Sequence, residues 1–211
     1  MAHYYLAAQL PYLIYGQPAP MTSEDYIARC QDLMSASDFA LLALCTLDPD
    51  PLEPDASSDT QKMAYTDPIK SSRSDFIDKW RNWERVLRLN LARFRSNRLK
   101  REWGSLLDPP DSPADAVNAA KAAAGMDSPL EAELYLDKAR WEAIEGFQGL
   151  SYFNVNTIYA YLLKLRLLER RALFKAEEGF AEYKELYTAI VGASASSEGR
   201  ASNRDESGDP K

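Results

Sequence analysis

Apolar residues recur along this chain at intervals of three and four, the period of a helix face. No stretch shows the alternation of Val, Ile and Thr that marks a sheet. The strongest run is Ser74 to Trp103, which contains neither proline nor glycine and places Phe76, Trp80, Trp83, Leu87, Leu91 and Phe94 on one face. Ser74 is suited to cap its first turn, and Asp75 and Asp78 to face the positive end of the helix dipole. Gly104, Pro109 and Pro110 are its stop signals. The spacing predicts one helix about 45 Å long.

The rest of the chain follows the same rule. A short helix is expected up to Leu10, then a turn from Gly16 to Pro20. Thr22 with Asp25, and Ser35 with Asp38, open two further helices. The second of these carries Phe39, Leu41, Leu42, Leu44, Cys45 and Leu47, is apolar nearly all round, and is expected at the centre of the fold. Residues 48–72 hold four prolines among acids and serines and read as a flexible loop. Ser112 and Pro113 start an alanine-rich helix that ends at Gly125. Ser128, Pro129 and Glu131 start another, to about Glu145. Asn154 or Asn156 caps a second long helix, marked by Ile158, Tyr161, Leu162, Leu165 and Leu168, and Phe180 to Ile190 read as a last short one. The expected fold is all-α, about seven helices with two of them long. It forms a single helical domain over 1–192, followed by a disordered tail over 193–211.

Composition narrows the function classes. The chain has 211 residues, 45% hydrophobic, with a net charge of −7. An acidic pI near 4.9 argues against nucleic acid as a partner. No apolar run approaches the roughly 20 residues of a membrane span. The start lacks the basic and apolar regions of a secretory signal, so a cytoplasmic location is expected. Cys30 and Cys45 read as small buried thiols.

Candidate chemistry is sparse. The only histidine is His3, which leaves no Ser–His–Asp triad and no His-based metal pair. Neither a phosphate-binding P-loop nor a dinucleotide-binding glycine motif is present. Glu142 with Glu145, and Glu182 with Glu185, stand one turn apart, a spacing more common on solvated helix faces than in acid–base dyads. No catalytic residue, cofactor site or metal site is assigned. A carboxylate-based hydrolase or metal enzyme stays as the enzymatic alternative.

Charge is distributed unevenly. Ser74 to Trp103 carries nine basic and four acidic residues, about +5 on an acidic chain. Arg81, Arg85, Arg88 and Arg95 fall together on the wheel, away from Trp80 and Trp83, on the side expected to face solvent. One reading is a solvated face with intrahelical partners such as Glu84 for Arg88. The other is a docking stripe for an acidic partner, extended by Arg98 and Arg101 on the projecting last turns.

The N-terminal string YYLAAQLPYLIYGQPAPMTSEDYIARC combines the Tyr4, Tyr5 start, the Leu10, Pro11 step, Gly16, the Pro18 and Pro20 turn and the Ser23, Glu24, Asp25 helix start. It resembles a bacterial uncharacterised-protein family found in V-type (archaeal-type) ATPase operons. That family is itself similar to the C-type (or d-type) central-stalk adaptor of V/A-type ATPases. IYAYLLKLRLLERRALF near the C-terminus is similar to a charged Ala-Tyr-Leu-Leu helix of the same adaptor. The resemblance implies a non-catalytic, all-helical adaptor of that kind. Its partners would be the central-shaft subunits and the membrane rotor ring, which it couples in proton or sodium transport. It would lie in the cytoplasm, peripheral to the inner membrane, without a span of its own. A helical assembly factor, or a generic protein-binding module, is the alternative within the same fold.

Overall fold

A computed structural model describes residues 2–47, 71–100 and 112–174. Seven helices and no strand occur among the described residues: α1 (Ala2–Gln9), α2 (Ser23–Leu33), α3 (Ala36–Leu42), α4 (Asp75–Arg98), α5 (Ala114–Ala124), α6 (Pro129–Gln148) and α7 (Val155–Ala172). The chain divides into two compact units, Met1–Ala172 and Leu173–Lys211. All seven helices belong to the first. The expected loop interior, the helix at 180–190, the 192/193 boundary and the tail lie outside the described residues.

Capping follows the sequence signals. Thr22 Oγ1 accepts from the Asp25 amide at 3.1 Å, Ser35 Oγ from Asp38 at 3.2 Å, Ser74 Oγ from Ile77 at 3.4 Å and Ser128 Oγ from Glu131 at 3.3 Å. Asn154, and not Asn156, caps α7, its Oδ1 accepting from the Thr157 amide at 3.1 Å. Each bond satisfies a first-turn amide that has no partner within the helix.

Two expectations are corrected. The central helix is α7, not the one after Ser35. Six consecutive residues of α7, Ile158 to Leu163, are buried, which covers every side of the helix. It touches α1, α2, α3 and α6. The seven residues of α3 bury only Leu42 and leave Phe39 and Leu41 half-exposed, because the helix stops before it can be surrounded. The long helix α4 ends at Arg98, short of Trp103. Lys100 takes a left-handed φ of 53°, and its amide turns back to Asn97 O at 3.1 Å, so the helical ladder cannot continue. The helix keeps 24 residues, about 36 Å.

The remaining packing has direction. Ala116, Ala119, Ala120 and Ala123 form a buried small-residue stripe on α5 that lets α4 approach closely. The two run in parallel: Trp83 Nε1 donates to Asp115 Oδ2 at 2.7 Å, and Arg98 reaches Ala124 O at 3.4 Å further along. Helix α6 runs antiparallel to both α4 and α7. Glu84 meets Arg140 while Arg95 meets Glu133, and Lys164 meets Glu145 while Arg170 meets Glu133. Trp80 and Trp83 stack at 6.0 Å and fill the core between these helices.

Residues 45–47, which follow α3, are held from outside it. Arg166 Nη1 on α7 donates to Cys45 O at 2.5 Å. Trp80 Nε1 donates to Thr46 O at 2.9 Å, and Arg88 Nη2 to Leu47 O at 2.8 Å, both from α4. Cys30 and Cys45 are buried free thiols, as expected. Burial pushes them up to about 11 and about 12, so both are un-ionised at neutral pH.

Candidate functional site

The arginines singled out in the sequence separate into two groups. Arg81 is half-buried, Arg85 is buried at 9% exposure and Arg88 is half-buried, so this part of the stripe is only partly open to solvent. A helical wheel shows α4 alone; in the fold Arg88 is drawn to Glu84 and to Leu47 O, and Arg85 turns back to Asn82 at 3.0 Å. Arg95 and Arg98 are exposed beyond the core, with Arg93 and Lys100 beside them. Their ion pairs are long and open: Arg95 lies 3.6 Å from Glu133, and Arg98 lies 3.8 Å from Asp127. Arg101 lies outside the described residues.

Arg88 belongs to a charge network that reaches beyond the Glu84 pairing expected from the sequence. Arg140 on α6 spans Glu84 on α4, with Nε 2.9 Å from Oε2 and Nη2 3.0 Å from Oε1. Arg88 Nε adds a bond to Oε1 at 2.8 Å. Arg140 Nη1 also donates to Asp137 Oδ1 at 3.0 Å, and Arg170 Nη1 of α7 stands 3.9 Å from the same oxygen. Arg170 Nη2 closes on Glu133 Oε2 at 2.6 Å. Helices α4, α6 and α7 are thereby joined by charge.

The two buried carboxylates respond in opposite ways. Burial alone would raise Glu84, but Arg140 and then Arg88 outweigh it and hold the group below its ordinary value. Burial raises Asp137 above its ordinary value, and Arg170 and Arg140 offset only part of that. Asp137 Oδ2 has no hydrogen-bond partner among the described residues. Glu84 is 0% exposed and committed to two arginines, so it is closed to a substrate. Of the one-turn carboxylate pairs, Glu142 and Glu145 are exposed; Glu145 accepts from Trp141 Nε1 at 2.9 Å and from Lys164 Nζ at 3.0 Å. Glu182 and Glu185 lie outside the described residues. No cluster of three or more His, Cys, Asp or Glu able to hold a metal occurs among the described residues. None of the described helices is long and apolar enough to cross a membrane.

A second surface lies at the other end of α6. A groove of about 710 Å³ runs between α1, the extended Leu10 to Leu13 segment, the 149–153 turn and the first turns of α7. Ala7, Pro11, Phe153 and Tyr161 are among its walls. Tyr161 Oη donates to Pro11 O at 3.0 Å and fixes that segment against α7. Tyr4 packs on Phe153 with ring centroids 4.5 Å apart. At Gly149, φ is 70° and ψ −163°, a conformation open essentially to glycine alone, and Leu150 beyond it is 91% exposed. Tyr12 on the opposite wall is 87% exposed. The groove and the basic end of α4 meet α6 at Gly146 and Glu133, about 20 Å apart along that helix.

The signal for this surface was present in the sequence. From Tyr4 to Ser23, and again from Gly146 to Leu163, the chain carries no Asp, Glu, Lys or Arg, although 27% of the whole is charged. Two charge-free runs far apart in sequence form one face.

Comparison with protein-family models, with curated proteins and with solved structures gave no match to this chain.

Proposed function

We propose that this protein is a non-catalytic helical adaptor that binds other proteins. Its resemblance to the family of V/A-type ATPase operons points to the place of the C-type (d-type) adaptor, between the central shaft and the membrane rotor ring. The observation that carries this reading is the basic end of α4. Arg93, Arg95, Arg98 and Lys100 are exposed within eight residues of an otherwise acidic chain, past the last fully packed turns of the core. The buried arginines serve the fold; these four are presented to solvent, where an acidic surface of a partner can meet them.

The test is co-purification of the full chain with the shaft subunits and the ring across a salt series. Arg95→Ala, Arg98→Ala and Lys100→Ala in combination should weaken capture and leave circular dichroism unchanged. Retention in the intact complex at one copy per rotor distinguishes a permanent component from an assembly factor. Absence of both shaft and ring from the eluate at low salt overturns the reading.

A further inference from the structure

The charge-free face around the groove has properties that select its occupant. Fully exposed aromatic side chains present about 200 Å² each. Tyr4, Tyr12, Tyr152 and Phe153 are 59%, 87%, 63% and 53% exposed, which together makes roughly 500 Å² at that value. Leu150 and the groove walls bring the face towards the ~800 Å² that each partner gives to a standard interface. Isolated exposed apolar residues need no explanation, whereas a patch of this size is in the range of the largest that a monomer exposes, and such patches are often functional. Aromatic enrichment with depletion of charge is the composition of an interface centre.

We propose that the occupant is a second copy of this chain, joined through a two-fold axis, with Leu150 and Tyr12 of each copy entering the groove of the other. A two-fold interface must be self-complementary: whatever projects from the patch has to fit a hollow in the same patch. Here the projections and the hollow are adjacent. Leu150 at 91% and Tyr12 at 87% exposure stand on the rims of a 710 Å³ groove. Two chains of net charge −7 repel at long range, and like charges brought together in an interface oppose association. This face brings none together. Its two charged lining residues, Glu145 and Lys164, neutralise each other at 3.0 Å, and Lys164 also lies 5.0 Å over the Trp141 ring.

Such a dimer is independent of the ATPase reading and differs from it in salt dependence. Salt screens the repulsion between two acidic chains, so a dimer formed through an uncharged face tightens as salt rises. Contacts through the basic end of α4 loosen under the same change. The experiment is sedimentation of the full chain from about 1 to 100 µM at low and high salt. The expected mass is twice 23.8 kDa at the upper concentrations, with a smaller dissociation constant at high salt. Tyr12→Asp combined with Leu150→Asp should stay monomeric throughout, and should melt like the wild type at concentrations where the wild type is itself monomeric, because neither side chain packs in the core. Leu130→Asp, at the opposite end of α6, should dimerise like the wild type. A wild type of 23.8 kDa at every concentration overturns the proposal, as does a dimer that survives the double substitution.

Discussion

Arg140 holds Glu84 by both carboxylate oxygens, at 2.9 and 3.0 Å, with both side chains at or below 4% exposure. The bond links α4 to α6 in the middle of the core and fixes their register. Taking both charges out of water costs several kcal/mol per ion, and only near-complete hydrogen bonding recovers it. Arg88 and Asp137 complete most of that set.

Glu84→Gln is expected to lower stability by about 3–5 kcal/mol, because Arg140 stays buried without its main counter-charge. Equilibrium denaturation in urea measures this. Replacing Glu84, Asp137 and Arg140 together with apolar residues of similar volume should cost less than Glu84→Gln alone, since no fully buried charge is left behind and the half-buried Arg88 keeps Leu47 O.

Asp137→Asn should behave oppositely. Burial raises the Asp137 carboxyl, so the folded state favours its neutral form. That contribution is present in full below the unfolded value and is lost as pH rises through the folded one. At pH 7 the asparagine variant should therefore melt at or above the wild-type temperature, and its advantage should shrink as pH falls. Glu84 is held low, so its contribution is present above its ordinary value and is lost as pH falls through the folded one. Melting curves from pH 7 to pH 3 test both signs.

Trp83→Ala should be severely destabilising. Trp83 is 1% exposed, stacks on Trp80 and donates to Asp115. Truncating such a residue costs about 3–5 kcal/mol, a large part of a typical total of about 5–15 kcal/mol. Calorimetry should show either a much lower melting temperature or no transition.

Changing Arg81, Arg85 and Arg88 together to alanine should impair folding, contrary to what the helical wheel implied. Arg88 bonds both Glu84 and Leu47 O, and Arg85 is buried. Circular dichroism should show lost helix or a lowered melting point. Replacing Arg95, Arg98 and Lys100 should do neither.

The elements were readable because their signals are local. Thr22, Ser35, Ser74 and Ser128 cap within three residues, and the stripe Phe76, Trp80, Trp83, Leu87 repeats within one helix. The errors arose where a second segment decides the outcome. Arg88 looks exposed until Leu47 O is placed beside it, and Asp137 and Arg140 look like an ordinary surface pair until Glu84 lies opposite. The centrality of α7 over α3 depended on length as well as apolarity. The groove needed two charge-free runs more than a hundred residues apart to be read together.

The three carbonyls of Cys45, Thr46 and Leu47 act mechanically as a mooring. A pull on the chain beyond Leu47 meets Arg88 and Trp80 first, then Arg166, so the load passes into α4 and α7 before it reaches α3. The short helix lies off the load path. Whatever tugs on the segment after Leu47 tugs on the two helices around which the core is built.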